Sequence, residues 1–157
     1  MTTEWLHAFG TMTYGIYVLT TALESRINGM IASWVSQVSY EPPLIAVAVH
    51  KNRFTHQLIK DSGYYALHAL EKGQKGLVSK FMGSDPESKF SGTNWKPGLT
   101  GCPILPECAA CFECKISTSI EPGNHTIFIG EVVNATTTAG SDLLTTLDYR
   151  GQYIGKM

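Results

Sequence analysis

Two basic residues and a threonine lie at the start of a predicted helix, where their types and spacing suit anion binding. Lys51 and Arg53 precede Thr55, and Gly63 follows further along the chain. Thr55 is a favourable N-cap and Gly63 a favourable terminator, so the segment between them is predicted to be a short helix. Unpaired N–H groups and the helix dipole attract anions at such a start. The spacing predicts a phosphate site; the alternative is that both cations are solvated loop charges.

The stretch from 28 to 49 joins a segment of small and hydroxylated residues to an apolar run. Asn28-Gly29 is predicted to form a tight turn, because both residues tolerate positive φ. Glu41-Pro42-Pro43 ends any helix, and Leu44–Val49 is predicted to be a buried strand. Small residues let a ligand approach the backbone, where hydroxyl and N–H groups can hold an anion. A pair of ordinary core strands is the alternative.

Cysteine spacing raises the question of a metal site. Cys108, Cys111 and Cys114 form two overlapping CxxC pairs close behind Cys102, and such spacing can hold zinc or an iron–sulfur cluster. If the second pair enters a strand, however, Cys114 faces the core with its alternate neighbours and Cys111 faces the other way. Buried free thiols in a reducing compartment are the favoured interpretation, and no metal ligands are assigned.

Among the histidines, His125 has the position best suited to contact a ligand. The turn Gly123-Asn124-His125-Thr126 immediately precedes the strongest predicted strand, and a histidine at a strand mouth can meet a bound molecule. A surface turn histidine is the alternative. No GxGxxG, Walker or GxSxG sequence is present, so the common nucleotide-binding and serine hydrolase motifs do not apply.

Composition limits the class of protein. The 157 residues are 43% hydrophobic and 16% charged, with a formal net charge of −1. That length predicts a single domain over residues 1–157. The charge balance offers no basic stripe for nucleic acid, and no apolar run is long enough to span a membrane. The N-terminal residues lack the regions of a signal peptide, so a cytoplasmic location is expected. The low charged fraction suggests that a partner subunit covers part of the surface.

The elements that must position these residues are mostly strands. A short helix is expected over Glu4–Gly10 with Trp5 inward, another over Glu71–Met82, and a long loop over Gly83–Gly101. Many strands without a βαβ period predict a mainly β fold, a barrel with a few short helices. Strands are predicted at Tyr14–Thr21, Asn28–Ser39, Leu44–Val49, Tyr64–Leu70, Ala110–Ile120 and Asn124–Ala135.

These motifs together resemble the flavin reductase-like domain family, the FMN-binding split β-barrels. The resemblance rests on the order of Asn28–Trp34, Val38–Leu44 with its Pro-Pro pair, Thr55, Gly101–Leu105 and Gly123–Val132. It covers nearly the whole chain. Within the family the sequence is most similar to flavoredoxins and to the flavin domains of high-molecular-weight rubredoxins.

The resemblance implies that FMN lies in a cleft at a homodimer interface. The backbone from Gly29 to Trp34 would face the isoalloxazine ring and ribityl chain, and the residues around Thr55 would hold the phosphate. Lys89 would add a cation, His125 would lie where a nicotinamide substrate stacks, and Tyr153 would close the pocket. The implied cofactor-binding residues are Asn28, Gly29, Met30, Ile31, Ala32, Ser33, Trp34, Lys51, Arg53, Phe54, Thr55, Lys89, His125 and Tyr153.

Two positions depart from the family pattern, and three functions are compatible with it. Many members have Thr in place of Ile31 and Asp in place of Asn124. The expected activity is hydride transfer from NAD(P)H to FMN, followed by electron transfer to a free flavin or a small redox protein such as a rubredoxin. The alternatives are a flavoredoxin-type carrier reduced by a partner protein, and a flavin-binding module without redox activity.

Overall fold

The computed structural model describes residues 2–138 and 142–148 and shows a mainly antiparallel β protein with short helices. The helices are α1 (Thr3–Gly10), α2 (Phe54–Ser62), α3 (Lys75–Phe81) and α4 (Pro86–Phe90), with 3₁₀ turns at Lys72–Gln74 and Thr146–Asp148. The strands are β1 (Tyr17–Leu23), β2 (Arg26–Ala32), β3 (Val35–Ser39), β4 (Leu44–His50), β5 (Tyr64–Ala69), β6 (Lys96–Pro97), β7 (Pro103–Ile104), β8 (Ala110–Ile120) and β9 (His125–Thr137).

Seven of the strands form a single rolled sheet. Its order is β2-β1-β5-β8-β9-β4-β3, and every pairing is antiparallel. The two edge strands β2 and β3 are consecutive in the chain and are joined only by Ser33 and Trp34. The sheet therefore curls until its edges meet at this connection, which gives the split barrel and confirms the predicted fold class.

Apolar residues fill both faces of the rolled sheet. The barrel interior contains Leu19, Val47, Tyr65 and Phe128, and Ile59 of α2 packs into it. On the outer face, α3 and α4 pack against β1 and β2. Burying such side chains removes about 25 cal/mol of unfavourable hydration per Å² of apolar surface. The fold thus fixes β2 between the barrel interior and two outer helices.

A second layer covers the outer face further along the sheet. Cys102 and Ile104, around the β6–β7 hairpin, pack on Ala66 and Cys111. Cys114 lies on the opposite face, in the barrel interior, as the alternation along β8 predicts. All four cysteines are free and buried, and burial raises the pKa of the Cys108, Cys111 and Cys114 thiols to about 12. These thiols are therefore protonated core side chains.

Several predicted elements are confirmed and several are wrong. Leu44–Val49 and Ala110–Ile120 are strands, and Gly63 ends α2 in the left-handed region with φ 75°. Asn28-Gly29 is not a turn: both residues lie inside β2, and the hairpin turn comes earlier, at Glu24, where φ is 54°. Trp5 does not face inward, since it is 62% exposed.

Other differences concern the extent of elements. The predicted strand Asn28–Ser39 is two strands, because the chain turns at Ser33 and Trp34 and changes from one sheet edge to the other. The predicted helix Glu71–Met82 is a 3₁₀ turn followed by α3, and the predicted loop Gly83–Gly101 contains α4. Within the described residues, no helix has both the length and the apolar character required to cross a membrane.

Candidate functional site

A buried polar network connects β2, α2 and α4 at one end of the barrel. Asn28 donates from Nδ2 to the hydroxyl of Thr55 at 2.9 Å. Lys89 donates from Nζ to Oδ1 of Asn28 at 3.2 Å and to the carbonyl of Gly29 at 2.9 Å. Three residues far apart in sequence thus meet through hydrogen bonds, and Lys89 is 4% exposed.

The Lys89 ammonium is buried beside neutral groups. Both of its hydrogen-bond acceptors are uncharged, and no carboxylate of residues 2–138 or 142–148 lies within ion-pair distance of it. Burial, and then the positive charge of Arg53, lower the pKa of Lys89, while Asp85 raises it slightly. A buried charge without a counter-charge is unfavourable. The arrangement is therefore suited to an anionic ligand that supplies the missing charge.

The start of α2 lies beside this ammonium. The helix begins at Phe54, and Arg53 is its N-cap without a side-chain capping bond. The prediction that Thr55 caps the helix is wrong, because Thr55 is inside the first turn and its hydroxyl accepts from Asn28. The first N–H groups of a helix are unpaired within it and favour negative charge. Lys89 and the α2 start therefore offer positive charge to the same region.

Lys51 has a different arrangement from the one expected of a phosphate ligand. Its Nζ forms an ion pair with Glu121 at 2.9 Å, and both side chains are substantially exposed. Its backbone N–H donates to the carbonyl of Asn124 at 3.0 Å. The structure thus joins Lys51 to the turn before β9, whereas Lys89 occupies the buried position beside Thr55.

The end of β2 presents backbone more than side chains. Ile31 and Ala32 pack into the two sides of the core, and Ser33 is buried. The connection is held by hydrogen bonds from Val35 to the carbonyl of Ser33 at 2.9 Å and from Ala48 to the carbonyl of Trp34 at 3.0 Å. A ligand along this edge would therefore meet mainly peptide groups. Of the remaining expected residues here, Met30 is half-buried and Phe54 is exposed.

Three aromatic rings cluster where β4 ends and β9 begins. Trp34, 42% exposed, lies with its ring centroid 4.7 Å from that of His125. His50 pairs with His125 across the two strands, and their rings meet edge to face at 4.9 Å. His50 was not predicted as a site residue. The only signal was its position at the end of a predicted strand, and its pairing with His125 depends on the sheet order.

The expected site residues thus fall into groups. The structure brings Asn28, Gly29, Thr55 and Lys89 into one network and Trp34 and His125 into one ring cluster. Tyr153 lies outside the described residues. For the cysteines, no group of three or more His, Cys, Asp or Glu side chains in the described part of the chain could hold a metal ion.

The fold and this polar end together define a split barrel with a buried ammonium group at one end, and sequence comparison supplies the family. Residues 9–155 match the flavin reductase like domain. The chain belongs to the flavin reductase-like domain family, as the motifs indicated.

Similar proteins align with most of this chain. It is 34% identical to a ferric-chelate reductase (NAD(P)H) of Archaeoglobus fulgidus over 96% of this chain and 92% of that protein. It is 34% identical to a high molecular weight rubredoxin of Moorella thermoacetica over 86% of this chain, which corresponds to 59% of that longer protein. A solved NADH:FAD oxidoreductase of Streptomyces globisporus, in complex with NAD and FAD fragments, is 31% identical with a TM-score of 0.84, over 90% of this chain and 86% of that one.

Proposed function

We propose that this chain is an FMN-binding oxidoreductase that takes a hydride from NAD(P)H and passes electrons to a free flavin or a small redox protein such as a rubredoxin. The observation that carries the proposal is the buried Lys89 ammonium, held by neutral Asn28 and Gly29 beside the start of α2. A flavin phosphate would supply the missing negative charge. Bound FMN would supply the redox chemistry, which is the cofactor's own.

In this proposal the phosphate lies among Lys89, Arg53, Thr55 and the first N–H groups of α2. Arg53 and Lys89 are close enough for each charge to affect the other, so a phosphate there would relieve repulsion between two cations. FMN would suit this arrangement, because its chain ends in the phosphate that these groups would bind. FAD, which continues beyond its phosphate, would need to extend out of this end of the barrel.

The flavin ring would then lie along the peptide groups from Gly29 to Trp34, and the nicotinamide would approach from the side of His125. The half-exposed Trp34 ring next to His125 offers a planar apolar surface there. The relative in complex with NAD and FAD fragments and the NAD(P)H-dependent ferric-chelate reductase support a nicotinamide donor. We assign no catalytic acid or base, because positioning of donor and acceptor is what hydride transfer requires.

We further propose that residues 1–157 form a single domain, that the protein is cytoplasmic, and that it forms a homodimer in which the cleft lies at the interface. Exposed Trp34, Val38, Tyr40 and Phe54 support the dimer, since large exposed apolar side chains favour a covered surface. Tyr153 would close the pocket in this arrangement.

An anaerobic absorbance titration tests the proposal. Purified protein is loaded with FMN or FAD, unbound flavin is removed, and NADH or NADPH is added. We expect retention of FMN in preference to FAD and rapid bleaching of the flavin band by at least one nicotinamide. Absence of flavin binding after reconstitution would contradict the proposal.

A flavoredoxin-type electron carrier is the second candidate. The rubredoxin relative supports it, because its name describes an electron-transfer protein longer than this chain. A carrier would retain FMN in the same site but bleach slowly with both nicotinamides and rapidly with a reduced partner protein. The same titration therefore separates the two functions.

A further inference from the structure

The turn before β9 holds the His125 ring by a side-chain hydrogen bond. Nδ1 of His125 lies 2.7 Å from Oδ1 of Asn124. An amide oxygen can only accept, so Nδ1 of the imidazole must carry the hydrogen. In the neutral ring, Nε2 then has a free lone pair. Asn124 is exposed, and its backbone carbonyl is separately bound by the Lys51 N–H.

In the neighbouring imidazole, His50, Nδ1 is a hydrogen-bond acceptor and not a donor. Nδ1 of His50 accepts the backbone N–H of Asn52 at 3.1 Å, so the lone pair of His50 is on Nδ1. The rings of His50 and His125 meet edge to face, and the Trp34 ring lies against His125 in a tilted arrangement. Two histidines in contact thus have defined and different hydrogen positions.

We propose that Asn124 is a positioning residue that holds His125 in the neutral Nδ1–H tautomer, so that Nε2 is presented beside Trp34 as a hydrogen-bond acceptor for a planar ligand with an amide N–H donor, such as the carboxamide of nicotinamide. The ligand part of this inference rests on the proposed function. The tautomer part rests only on the contacts of Asn124, His125 and His50.

The charges around His125 favour the same state. Burial first, and then His50 and Arg53, lower the pKa of His125. The nearest turn also contains Glu121, whose carboxylate is paired with Lys51 at 2.9 Å. With an amide and not a carboxylate at Asn124, no acidic group within residues 2–138 and 142–148 contacts Nδ1 to favour the imidazolium. A neutral ring can accept a hydrogen bond, and it does not repel the positive charge of an oxidised nicotinamide.

The test is nitrogen-15 NMR of the His125 ring in the protein without flavin or nicotinamide. In the unmodified chain we expect a protonated Nδ1, an unprotonated Nε2 and a titration midpoint below the ordinary histidine value of about 6.5. Asn124→Leu removes the acceptor, and we expect a mixture of tautomers. Asn124→Asp keeps an acceptor but adds a negative charge, and we expect Nδ1 to stay protonated while the midpoint rises by about one unit or more.

Asn94→Leu is the matched control, because Asn94 is also an exposed asparagine with a side-chain hydrogen bond, to Glu107. It should leave the His125 signals unchanged. An unprotonated Nδ1 in the unmodified chain, or an unchanged tautomer in Asn124→Leu, would overturn the proposal. Because no cofactor is present, this result is independent of whether the protein is a flavin reductase.

In the FMN-loaded protein, Asn124→Leu should raise the KM for the nicotinamide several-fold with a smaller change in kcat. A change in kcat alone would contradict the acceptor role of Nε2, whatever the NMR result.

Discussion

Two buried charges in this protein have opposite surroundings. On the outer face of the sheet, the Glu113 carboxylate accepts from the backbone N–H and hydroxyl of Thr100, both at 2.8 Å, and from Asn134 at 2.9 Å. At the end of the barrel, the Lys89 ammonium donates to two neutral oxygens and has no acidic partner within ion-pair distance in the described ranges. The Glu113 carboxylate is thus satisfied by hydrogen-bond donors of its own chain, whereas the Lys89 ammonium has no counter-charge among the described residues.

The difference separates a charge that the protein satisfies with its own donors from a charge that is suited to a bound ligand. Glu113 fixes the loop around Thr100 to β8 and β9; although its burial alone would raise the pKa, the hydrogen bonds from Asn134 and Thr100 lower the pKa of this carboxyl. Burial and Arg53 together lower the pKa of Lys89, so the free protein disfavours that charge. A group held at such a disadvantage indicates that something else favours it, and a bound phosphate would do so.

Replacement of Lys89 by methionine should have the largest effect. Hydrogen bonds to charged groups contribute about 1.5–3 kcal/mol each. Lys89→Met should therefore weaken FMN binding by about 30- to 100-fold. The flavin-free protein should lose little stability, because the two hydrogen bonds that are lost are offset by removal of a buried charge without a counter-charge. Fluorescence titration of FMN and thermal unfolding measure the two effects. Lys115→Met, on an exposed lysine of β8, is the control and should bind FMN normally. A large loss of stability with unchanged FMN affinity would make Lys89 structural.

Glu113→Gln should show the converse behaviour. The carboxylate accepts three hydrogen bonds, and the glutamine side chain replaces one of its oxygens with an NH2 group. At least one donor of the protein would then face the NH2 donor of glutamine, so we expect a loss of about 2 kcal/mol in the free energy of unfolding. FMN affinity should be unchanged. Urea denaturation measures the loss, with Glu131→Gln, an exposed residue of β9, as the control. Equal stability of the two variants would show that Glu113 does not hold its loop.

Asn28→Asp is designed to abolish the contrast between the two regions. It places a carboxylate at the oxygen that Lys89 already contacts, and the Thr55 hydroxyl can turn to donate to it. Lys89 would then have an internal partner, and the new charge would repel phosphate. We expect about 10-fold weaker FMN binding, roughly 1.4 kcal/mol, in a protein that still folds. Unchanged or tighter binding would show that the phosphate does not depend on Lys89.

The smallest expected effect is the pH dependence that Glu113 contributes. The folded-state pKa of Glu113 is lowered, so its stabilisation is present above the ordinary carboxyl pKa of about 4.3 and is lost as the pH falls through the lower folded value. The stability difference between the unmodified chain and Glu113→Gln should shrink from pH 7 to pH 3. A difference that is the same at both pH values would indicate that Glu113 acts through packing and not through its charge.

Much of the fold could be predicted because strands have a local signal. The alternating and β-branched residues of Leu44–His50 and Ala110–Ile120 identify strands. The stretch from 28 to 49, singled out from the sequence, contains the Ser33–Trp34 connection between the two sheet edges. The family also followed from motif order. The position of Cys114 on the inner face and Cys111 on the outer face required only the period of two along β8.

The features that the sequence did not predict depend on contacts between residues far apart in the chain. Asn28-Gly29 has the composition of a turn, but Gly29 is small because the Phe81 ring lies 2.7 Å from where its Cβ would be. Asn28 is polar because it bridges Thr55 and Lys89. None of these three partners is near β2 in sequence, so local patterns could not distinguish a turn from a tightly packed strand. The burial of Lys89 likewise depends on how α4 packs on β2.

The most direct test of the central claim is the affinity of the protein for FMN and for riboflavin, which lacks the phosphate, before and after Lys89→Met. We expect the unmodified protein to prefer FMN by about 30-fold or more, and Lys89→Met to remove most of this preference while riboflavin affinity stays the same. Equal affinities for the two flavins in the unmodified protein, or an equal loss for both in Lys89→Met, would contradict the assignment of Lys89 to the phosphate.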